Sequence, residues 1–339
     1  RSQTYNDANI TPEPRVTALG VTLNKGTDFT YSYANNKNKG TATIYVNGIG
    51  NYKGQSSTTF TIDPYDIANA TIASVSAVTY TGSAHTPEPR VTAFNRALNK
   101  GTEISYSYSK NVNSSVYDGD GVITVTGTGN FTGSKTQTFT INPAAGNKTI
   151  TCAAPTYNGS AQGLISTTGV NVSNSRLEYK MGNGAWTNYY VYGGPTATAA
   201  GTYTISWKGY VDNYQAFETT TTCTISPKAL TITASNQTIT YGGSISTGTS
   251  YITASGLASG HSVGSITLTA NRTDAGTGAI TPSAATIKKG STTIAGSNYS
   301  ITYKNGTLTI NKANLSGSVK ITGTNKVNQT LTASVTNTN

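Results

Sequence analysis

The sequence predicts an all-β protein built from small β-sandwich domains in tandem. Three observations predict this class: the composition, an internal repeat, and a strand pattern that recurs four times. Only 11% of the 339 residues are charged and 35% are hydrophobic, both below the averages for soluble globular domains. Threonine, serine, asparagine, glycine and tyrosine fill the difference. These residues suit strands with one wet face and the tight turns that join them.

The internal repeat indicates that the chain copies a unit of domain size. The heptapeptide PEPRVTA occupies residues 12–18 and again residues 87–93, an offset of 75. The run LNKGT recurs at the same offset, at residues 23–27 and 98–102. A repeat of this length corresponds to a whole small domain and not to one turn of a solenoid.

The recurring strand pattern predicts where four domains end. An apolar residue followed by Thr-Ile begins each closing run, at Phe60, Phe139, Cys223 and Leu308. Such alternation marks a half-buried strand. The runs close at Pro64, Pro143, Pro227 and Lys312, and Pro ends a strand because it cannot donate to the ladder. The spacings of 79, 84 and 85 residues fit small sandwiches.

These ends divide the chain into five predicted domains. They are residues 1–64 (truncated at its N-terminal side), 65–143, 144–227 (with a cysteine pair), 228–312, and 313–339, the start of a truncated further domain. In the third, residues 177–186 and 189–191 flank an Asn-Gly turn and predict a hairpin. In the fifth, residues 323–324 and 327–331 have the pattern of first strands.

The first three predicted domains resemble the bacterial immunoglobulin-like repeats of large surface proteins. The fourth is similar to the mostly-basic, glycine-rich domain of bacterial adhesins, through Tyr241-Gly242-Gly243 and the run GTLTI at residues 306–310. The resemblance implies immunoglobulin-like sandwiches and an extracellular location on a bacterial cell surface. It also implies a stalk or adhesin segment without catalytic residues.

The joins between the predicted domains favour an extended rod. They are a few residues long and most contain Pro, which makes them stiff compared with Gly/Ser tethers. Each domain would span roughly 35–40 Å, and four would form a rod on the order of 150 Å.

The two cysteines replace apolar residues of the earlier repeats. Cys223 stands where the first two repeats have phenylalanine, and Cys152 stands where the second has valine. The first and last strands of such sandwiches commonly run side by side, so we expect a disulfide between Cys152 and Cys223. The alternatives are two buried free thiols and a metal site. The metal site lacks further ligands, because His85 and His261 belong to other predicted domains.

The charge pattern and the dispersed polar residues argue against several function classes. The net charge is +10, but Lys and Arg form no dense run. This favours a solvated surface that contacts anionic cell-wall or host glycans over a nucleic-acid partner, and charge for solubility alone is the simplest interpretation. No apolar run approaches ~18 residues, so we expect no membrane insertion. The pattern starts and stops within repeats, so we expect a piece of a longer protein.

Catalytic chemistry has no recognisable centre in the sequence. The two histidines lie in different predicted domains, which leaves no base for a nucleophilic triad. The 13 carboxylates are spread along the chain, whereas metal hydrolysis and glycoside hydrolysis need clustered acids. We therefore expect no enzyme activity, no metal and no cofactor.

Aromatic residues provide the one candidate ligand surface. Trp186, Tyr189, Tyr190 and Tyr192 crowd the predicted hairpin of the third domain. If they are exposed together, they would form a glycan-binding surface. Alternatively, Trp186 and Trp207 anchor the sandwich core while the tyrosines cover strand faces.

The leading functional hypothesis is a structural spacer of a bacterial cell-surface adhesin-like protein. A monomeric spacer would project a distal binding region and would contact its neighbouring domains. The alternative is a binding module that recognises a polysaccharide or a host surface protein, through the third domain or by adding a strand at an edge. An immunoglobulin-like decoration of a phage particle is a third hypothesis that the residues allow.

Overall fold

The structure, a computed structural model, describes residues 1–315 and 317–337. About 53% of the chain is strand and about 5% is helix, which confirms the predicted all-β class. The helical pieces are single turns: Ser115–Asp118 and Tyr189–Tyr192 are α-helical, and Ile67–Asn69, Thr249–Tyr251 and Gly296–Asn298 are 3-10 turns.

The chain divides into two compact units. The first contains Arg1–Lys148, Val172–Leu177 and Lys208–Phe217; the second contains Thr149–Asn171, Glu178–Trp207 and the described chain from Glu218 onward. The five-domain division stays a prediction. Its ranges serve below as names: segment 1 (residues 1–64), segment 2 (65–143), segment 3 (144–227) and segment 4 (228–312).

Segment 1 lies in the first unit. Its strands are Ser2–Thr4, Thr17–Ala18, Val21–Thr22, Phe29–Ala34, Gly40–Gly48 and Gln55–Asp63. Gly40–Gly48 is central and pairs antiparallel with both Phe29–Ala34 and Gln55–Asp63. Ser2–Thr4 runs parallel to the end of Gln55–Asp63, so the first and last strands of the segment are neighbours.

Segment 2 repeats this plan in the first unit. Its strands are Tyr65–Asp66, Thr71–Ile72, Val78–Thr79, Val91–Ala93, Arg96–Ala97, Ile104–Ser109, Gly121–Gly127, Phe131–Thr132, Ser134–Phe139 and Ile141–Asn142. Gly121–Gly127 is again central, between Ile104–Ser109 and Ser134–Phe139. Val78–Thr79 runs parallel to Ile141–Asn142, which repeats the parallel pairing of Ser2–Thr4 with the closing strand of segment 1.

Segment 3 has residues in both units. Its strands are Lys148–Cys152, Gln162–Gly163, Ile165–Val172, Leu177–Met181, Thr187–Asn188, Thr196–Ala197, Gly201–Gly209 and Phe217–Ile225. One sheet has the order Thr187–Asn188, Leu177–Met181, Gly201–Gly209, Phe217–Ile225. An isolated parallel bridge joins Thr156 to Ser226, where the other segments pair a strand in parallel with the closing strand.

Segment 4 lies in the second unit and has longer strands. They are Lys228–Ala234, Gln237–Thr240, Ile252–Ser255, His261–Ala270, Gly276–Lys289, Thr292–Ile294, Tyr299–Lys304 and Gly306–Asn311. They form two sheets, one around Lys228–Ala234 and one around Gly276–Lys289 and Gly306–Asn311. Gln237–Thr240 runs parallel to Gly306–Asn311.

Two strand predictions were wrong. Residues 189–191 belong to the helical turn Tyr189–Tyr192, because the Asn188 side chain accepts a hydrogen bond from the Val191 N–H at 3.1 Å and so caps a helix. After segment 4 the strands are Gly317–Thr322 and Thr332–Asn337, which pair antiparallel. Residues 323–331 connect them, with Asn328 at a φ of 66°. Of the predicted fifth domain, residues 316, 338 and 339 lie outside the described residues.

Burial follows the period of two that the sequence showed. Ala42 and Ile44 in segment 1, and Ile123 and Val125 in segment 2, are buried on their central strands. The buried side chains of these two segments form one continuous cluster. Segment 4 has a cluster around Ile280 and Leu308. The β-sandwich interior is therefore apolar, as the alternation predicted.

Candidate functional site

In each segment a tyrosine follows the residues that pair in parallel with the closing run, and its backbone is bonded to that run. The N–H of each donates to the carbonyl oxygen directly before the closing Pro or Lys, at 2.8 or 2.9 Å. The pairs are Tyr5–Asp63, Tyr80–Asn142, Tyr157–Ser226 and Tyr241–Asn311. Because the bond uses only backbone atoms of paired strands, it places the four tyrosine side chains at the same end of their segments.

Three of these tyrosines contact an aromatic ring of the following segment. The ring pairs are Tyr5–Phe131, Tyr80–Tyr214 and Tyr157–Tyr299, with centroids 5.6, 5.5 and 5.5 Å apart and interplanar angles of 73°, 81° and 78°. Each pair is edge-to-face, the geometry that the ring quadrupole favours. The same contact therefore occurs at three successive joins.

An asparagine precedes each of these second rings and makes a second contact across the join. The side-chain Oδ1 accepts from a backbone N–H of the preceding segment: Asn130 from Lys39 at 2.9 Å, Asn213 from Ser114 at 2.8 Å and Asn298 from Ala200 at 2.6 Å. Each of these N–H groups lies in a loop. The strand that follows the loop pairs with the closing strand of the same segment. We call each Asn–aromatic pair an Asn–aromatic turn.

The linker between two segments completes each join. Its backbone pairs with the aromatic residue of the Asn–aromatic pair. The linker residues pair in parallel with the ring residues as Tyr65–Phe131, Ala144–Tyr214 and Lys228–Tyr299. We use the term seat for the tyrosine, the loop N–H and the linker together. An Asn–aromatic turn occupies the seats of segments 1, 2 and 3.

The join between segments 1 and 2 adds an ionic clamp. Arg96 donates from Nε and Nη2 to the two carboxylate oxygens of Asp7, at 2.6 and 2.9 Å. Its Nη1 and Nη2 also donate to Glu103, at 2.9 and 2.7 Å. Tyr5 donates its hydroxyl to Asp7 at 2.8 Å. The hydrogen bonds from Arg96 and Tyr5 lower the pKa of Asp7 to about 2, so Asp7 is ionised across the physiological range.

The join between segments 3 and 4 adds a buried histidine. Tyr299 Oη lies 2.7 Å from His261 Nδ1 and accepts from the Ala258 N–H at 3.1 Å. Tyr299 therefore donates to His261 Nδ1, which leaves the proton of a neutral ring on Nε2. Burial and the charge of Lys289 lower the pKa of His261. The Tyr157 ring packs 6.0 Å from the imidazole.

The predicted disulfide is confirmed. Cys152 and Cys223 are bonded, with Cα atoms 5.4 Å apart and a sequence separation of 71 residues. Cys223 is buried, in the inward position that phenylalanine fills in segments 1 and 2. The disulfide joins the strand Lys148–Cys152 to the strand Phe217–Ile225, and the isolated parallel bridge between Thr156 and Ser226 lies beyond the ends of both strands.

The structure separates the four aromatic residues that the sequence grouped. Trp186, Tyr190 and Tyr192 are 38%, 51% and 76% exposed. Tyr189 is half-buried, and its ring lies 5.9 Å from that of Trp207, which is fully buried. The core interpretation therefore holds for Trp207 and not for Trp186. A shallow depression beside Trp186 includes Lys180, whose Nζ lies 5.0 Å from the indole centroid.

Within residues 1–315 and 317–337, no group of three or more His, Cys, Asp or Glu side chains could hold a metal ion. None of the helical pieces in that range has the length and apolar character to span a membrane.

The sequence indicated some residues of the joins but not that they make contacts between segments. Of these residues, the sequence motifs singled out Tyr241. The signal that would have found the seats is spacing. Each Asn–aromatic turn lies 13 or 14 residues before the closing Pro or Lys, beginning at Asn51, Asn130, Asn213 and Asn298.

Comparison with known families matches one part of the chain. Residues 230–309 match the model of the MBG domain (YGX type). The match agrees with the resemblance of segment 4 and supports a repeat-type surface protein. No curated protein matches the chain.

Several solved structures are similar over most of the chain at low identity. The protocadherin GammaB4 extracellular domain is 11% identical, with 95% of this chain and 67% of that one covered and a TM-score of 0.19. Drosophila N-cadherin EC1-4 is 12% identical, with 92% and 100% covered and a TM-score of 0.18. A Bacteroides ovatus glucan-utilization protein, SGBP-B, solved in complex with a mixed-linkage heptasaccharide, is 13% identical, with 79% and 74% covered and a TM-score of 0.15.

Proposed function

We propose that this chain is a structural spacer of a bacterial cell-surface adhesin-like protein, made of successive immunoglobulin-like domains that project a distal binding region. The observation that carries the proposal is the threefold recurrence of the same join. Each join contains an edge-to-face ring pair, an Asn–backbone hydrogen bond and a paired linker. A binding array on free hinges would not need such contacts, whereas a spacer needs its successive domains held against bending.

The surface chemistry supports the same proposal. Across the described residues the carboxylates are partnered at joins or dispersed, and no metal cluster is present. The disulfide in segment 3 fits an oxidising extracellular location. The match of residues 230–309 to the MBG domain supports a bacterial surface protein.

Stiffness at a join is the measurable consequence. Ser57 and Thr136 are exposed strand residues at equivalent positions of segments 1 and 2, and both can be changed to cysteine for nitroxide labels, since the native cysteines are bonded to each other. We expect pulsed electron paramagnetic resonance to show a narrow distribution of distances between the two labels. The double substitution Asn130→Ala, Phe131→Ala should broaden it, because it removes both side-chain contacts. An equally broad distribution in the unaltered chain would contradict a stiff spacer.

A binding module is the second candidate, and the exposure of Trp186, Tyr190 and Tyr192 favours it. Exposed aromatic faces stack on sugar rings, and the neighbouring Lys180 would attract anionic glycans. The two functions separate on a glycan array and on host-cell binding. A pure spacer binds nothing on the array. Saturable binding that Trp186→Ala abolishes, and that the control Tyr251→Ala leaves intact, would instead establish the module. Tyr251 is likewise 38% exposed but lies in segment 4.

A further inference from the structure

Segment 4 presents the same seat as segments 1 to 3, with its tyrosine uncovered. Tyr241 makes the backbone bond to Asn311 that defines the position, and its side chain is 55% exposed. Its counterpart Tyr157 is 3% exposed beneath the Asn–aromatic turn of segment 4. The exposure therefore reflects a missing neighbour and not a different local structure.

The loop N–H of this seat belongs to Ala275. Ala275 directly precedes the strand Gly276–Lys289, which pairs with the last strand Gly306–Asn311. This is the position that Ala200 holds in segment 3, where the N–H is bonded to Asn298. In the described part of the chain the Ala275 N–H donates no hydrogen bond, although its carbonyl accepts from Arg272 Nη2 at 2.8 Å.

The linker of this seat is residues 313–315. These residues are exposed, lie outside the strands, and pair with no strand among the described residues. Together with Tyr241, Ala275 and Lys312 they line one surface depression. Leu315 is 87% exposed. All three components of the seat are thus present on one surface.

The strands that follow also expose apolar side chains. Gly317–Thr322 and Thr332–Asn337 form a two-stranded hairpin, and Val319 and Ile321, on one face of it, are each 65% exposed. A hairpin of two strands has little stability alone and needs further strands against its apolar face. This points to a sandwich whose first strand follows the linker.

We propose that the seat of Tyr241, Ala275 and residues 313–315 binds an Asn–aromatic turn from a β-sandwich domain whose first strand begins after Lys312. The proposal rests on the proposed function and names the contact by which the spacer continues. The asparagine Oδ1 would accept the Ala275 N–H, and the aromatic ring would meet Tyr241 edge to face.

The pairing of the linker indicates that the Asn–aromatic turn comes from the same chain and not from a second copy. In the three occupied seats, the linker residue pairs in parallel with the ring residue of the domain that the linker itself begins. A turn from another copy would lack this covalent tie and its high effective concentration. Residues 313–315 stand in the same position relative to a domain that starts after Lys312.

The proposal can be tested by placing after segment 4 an Asn–aromatic turn that already occupies a seat in this chain. Residues 316–339 are replaced by residues 231–312 of a second copy of segment 4, so that residues 313–315 stay in place and take the positions of residues 228–230. Asn298 of this copy already bonds an alanine N–H in the native join. Amide exchange is followed by NMR on alanine-labelled protein. We expect exchange at Ala275 to slow at least tenfold relative to the unaltered chain. The matched control carries Asn298→Ala in the second copy alone and should exchange at the original rate.

Internal references distinguish the outcomes. Protection of Ala234 in both copies shows that the second copy folds, and protection of Ala200 shows that the native join is intact. Unchanged exchange at Ala275 with both references protected would overturn the proposal. So would protection in the unaltered chain that rises with protein concentration, because it would assign the seat to a second copy. Neither result depends on the label distance between segments 1 and 2, which tests the spacer function separately.

Discussion

The hydroxyl of Tyr299 lies 2.7 Å from Nδ1 of His261 and donates to it. In this direction the bond requires a neutral imidazole, because a protonated ring has no acceptor nitrogen. The groups that face this ring are Tyr157, Tyr299 and Lys289. None of them is a carboxylate that could pair with an imidazolium. The join between segments 3 and 4 is therefore built for a neutral histidine.

Acid should weaken this join. Burial, aided by Lys289, places the folded pKa of His261 below its ordinary value of 6.5. The stabilising contribution is thus complete above about pH 6.5 and is lost as the pH falls toward the folded pKa. We expect the protection factor of the Ala200 amide, which corrects the observed exchange rate for the intrinsic pH dependence of exchange, to fall between pH 7 and pH 5. His261→Gln should flatten this dependence, whereas His85→Gln should leave it in place. A pH-independent join in the unaltered chain would refute the assignment.

The ionic clamp between segments 1 and 2 should lose stability when Asp7 is neutralised. Asp7→Asn removes the charge that Arg96 binds through two hydrogen bonds. We expect the unfolding free energy of the first unit to fall by about 1 kcal/mol, since the pair is only partly screened by solvent. Urea denaturation measures the change. Glu13→Gln is the control, because it disrupts the exposed Lys25–Glu13 pair and should have little effect.

Low pH gives an independent measurement of the same clamp. The folded pKa of Asp7 is about 2, against an ordinary 3.8. Its contribution is therefore present above about pH 4 and is lost as the pH falls toward 2. The difference in stability between the unaltered chain and Asp7→Asn should disappear in that range. A difference that persists at pH 2 would show that Asp7 acts through packing and not through charge.

The parts of the fold that sequence predicted are those with local signals. Alternation and a closing Pro mark the last strands, and paired loss of two core apolar residues marks the disulfide. The joins lack such a signal, as Leu19 and Phe94 illustrate. Both occupy the same hairpin turn of their segments, each with a φ of 50°. Leu19 is 95% exposed, whereas the centroid of the Phe94 ring lies 5.9 Å from that of Tyr5 in segment 1. The neighbouring segment, and not the turn itself, decides the difference.

The structure divides the four aromatic residues for a related reason. Sequence proximity grouped four rings, but the helical turn Tyr189–Tyr192 rotates successive side chains by a helical and not a strand period. Tyr189 consequently packs toward Trp207 while Tyr192 faces solvent. The cap by Asn188 that sets this turn is a single hydrogen bond, which an apolar–polar pattern does not encode.

Reduction of the disulfide should destabilise segment 3 selectively. The bond between Cys152 and Cys223 closes 71 residues, and loop-closure entropy predicts a loss of roughly 4 kcal/mol when it is removed. The substitution Cys152→Val, Cys223→Phe restores the apolar residues that the earlier repeats carry, and should recover part of the loss by packing. Thermal unfolding with and without reductant checks both. Equal melting of the oxidised and reduced chains would mean that the strands need no cross-link.

The Asn–aromatic turns offer a matched pair of substitutions within one chain. Asn130 bonds Lys39 across a join, whereas Asn51 occupies the same turn of segment 1 and bonds no other segment in the described chain. Asn130→Ala should lower the unfolding free energy of the first unit by about 1 kcal/mol, because it removes the exposed hydrogen bonds to Lys39 and Asn38 across the join. Asn51→Ala should cost much less, because only the local turn changes. If the two cost the same, then asparagine serves the turn and the hydrogen bond across the join is incidental.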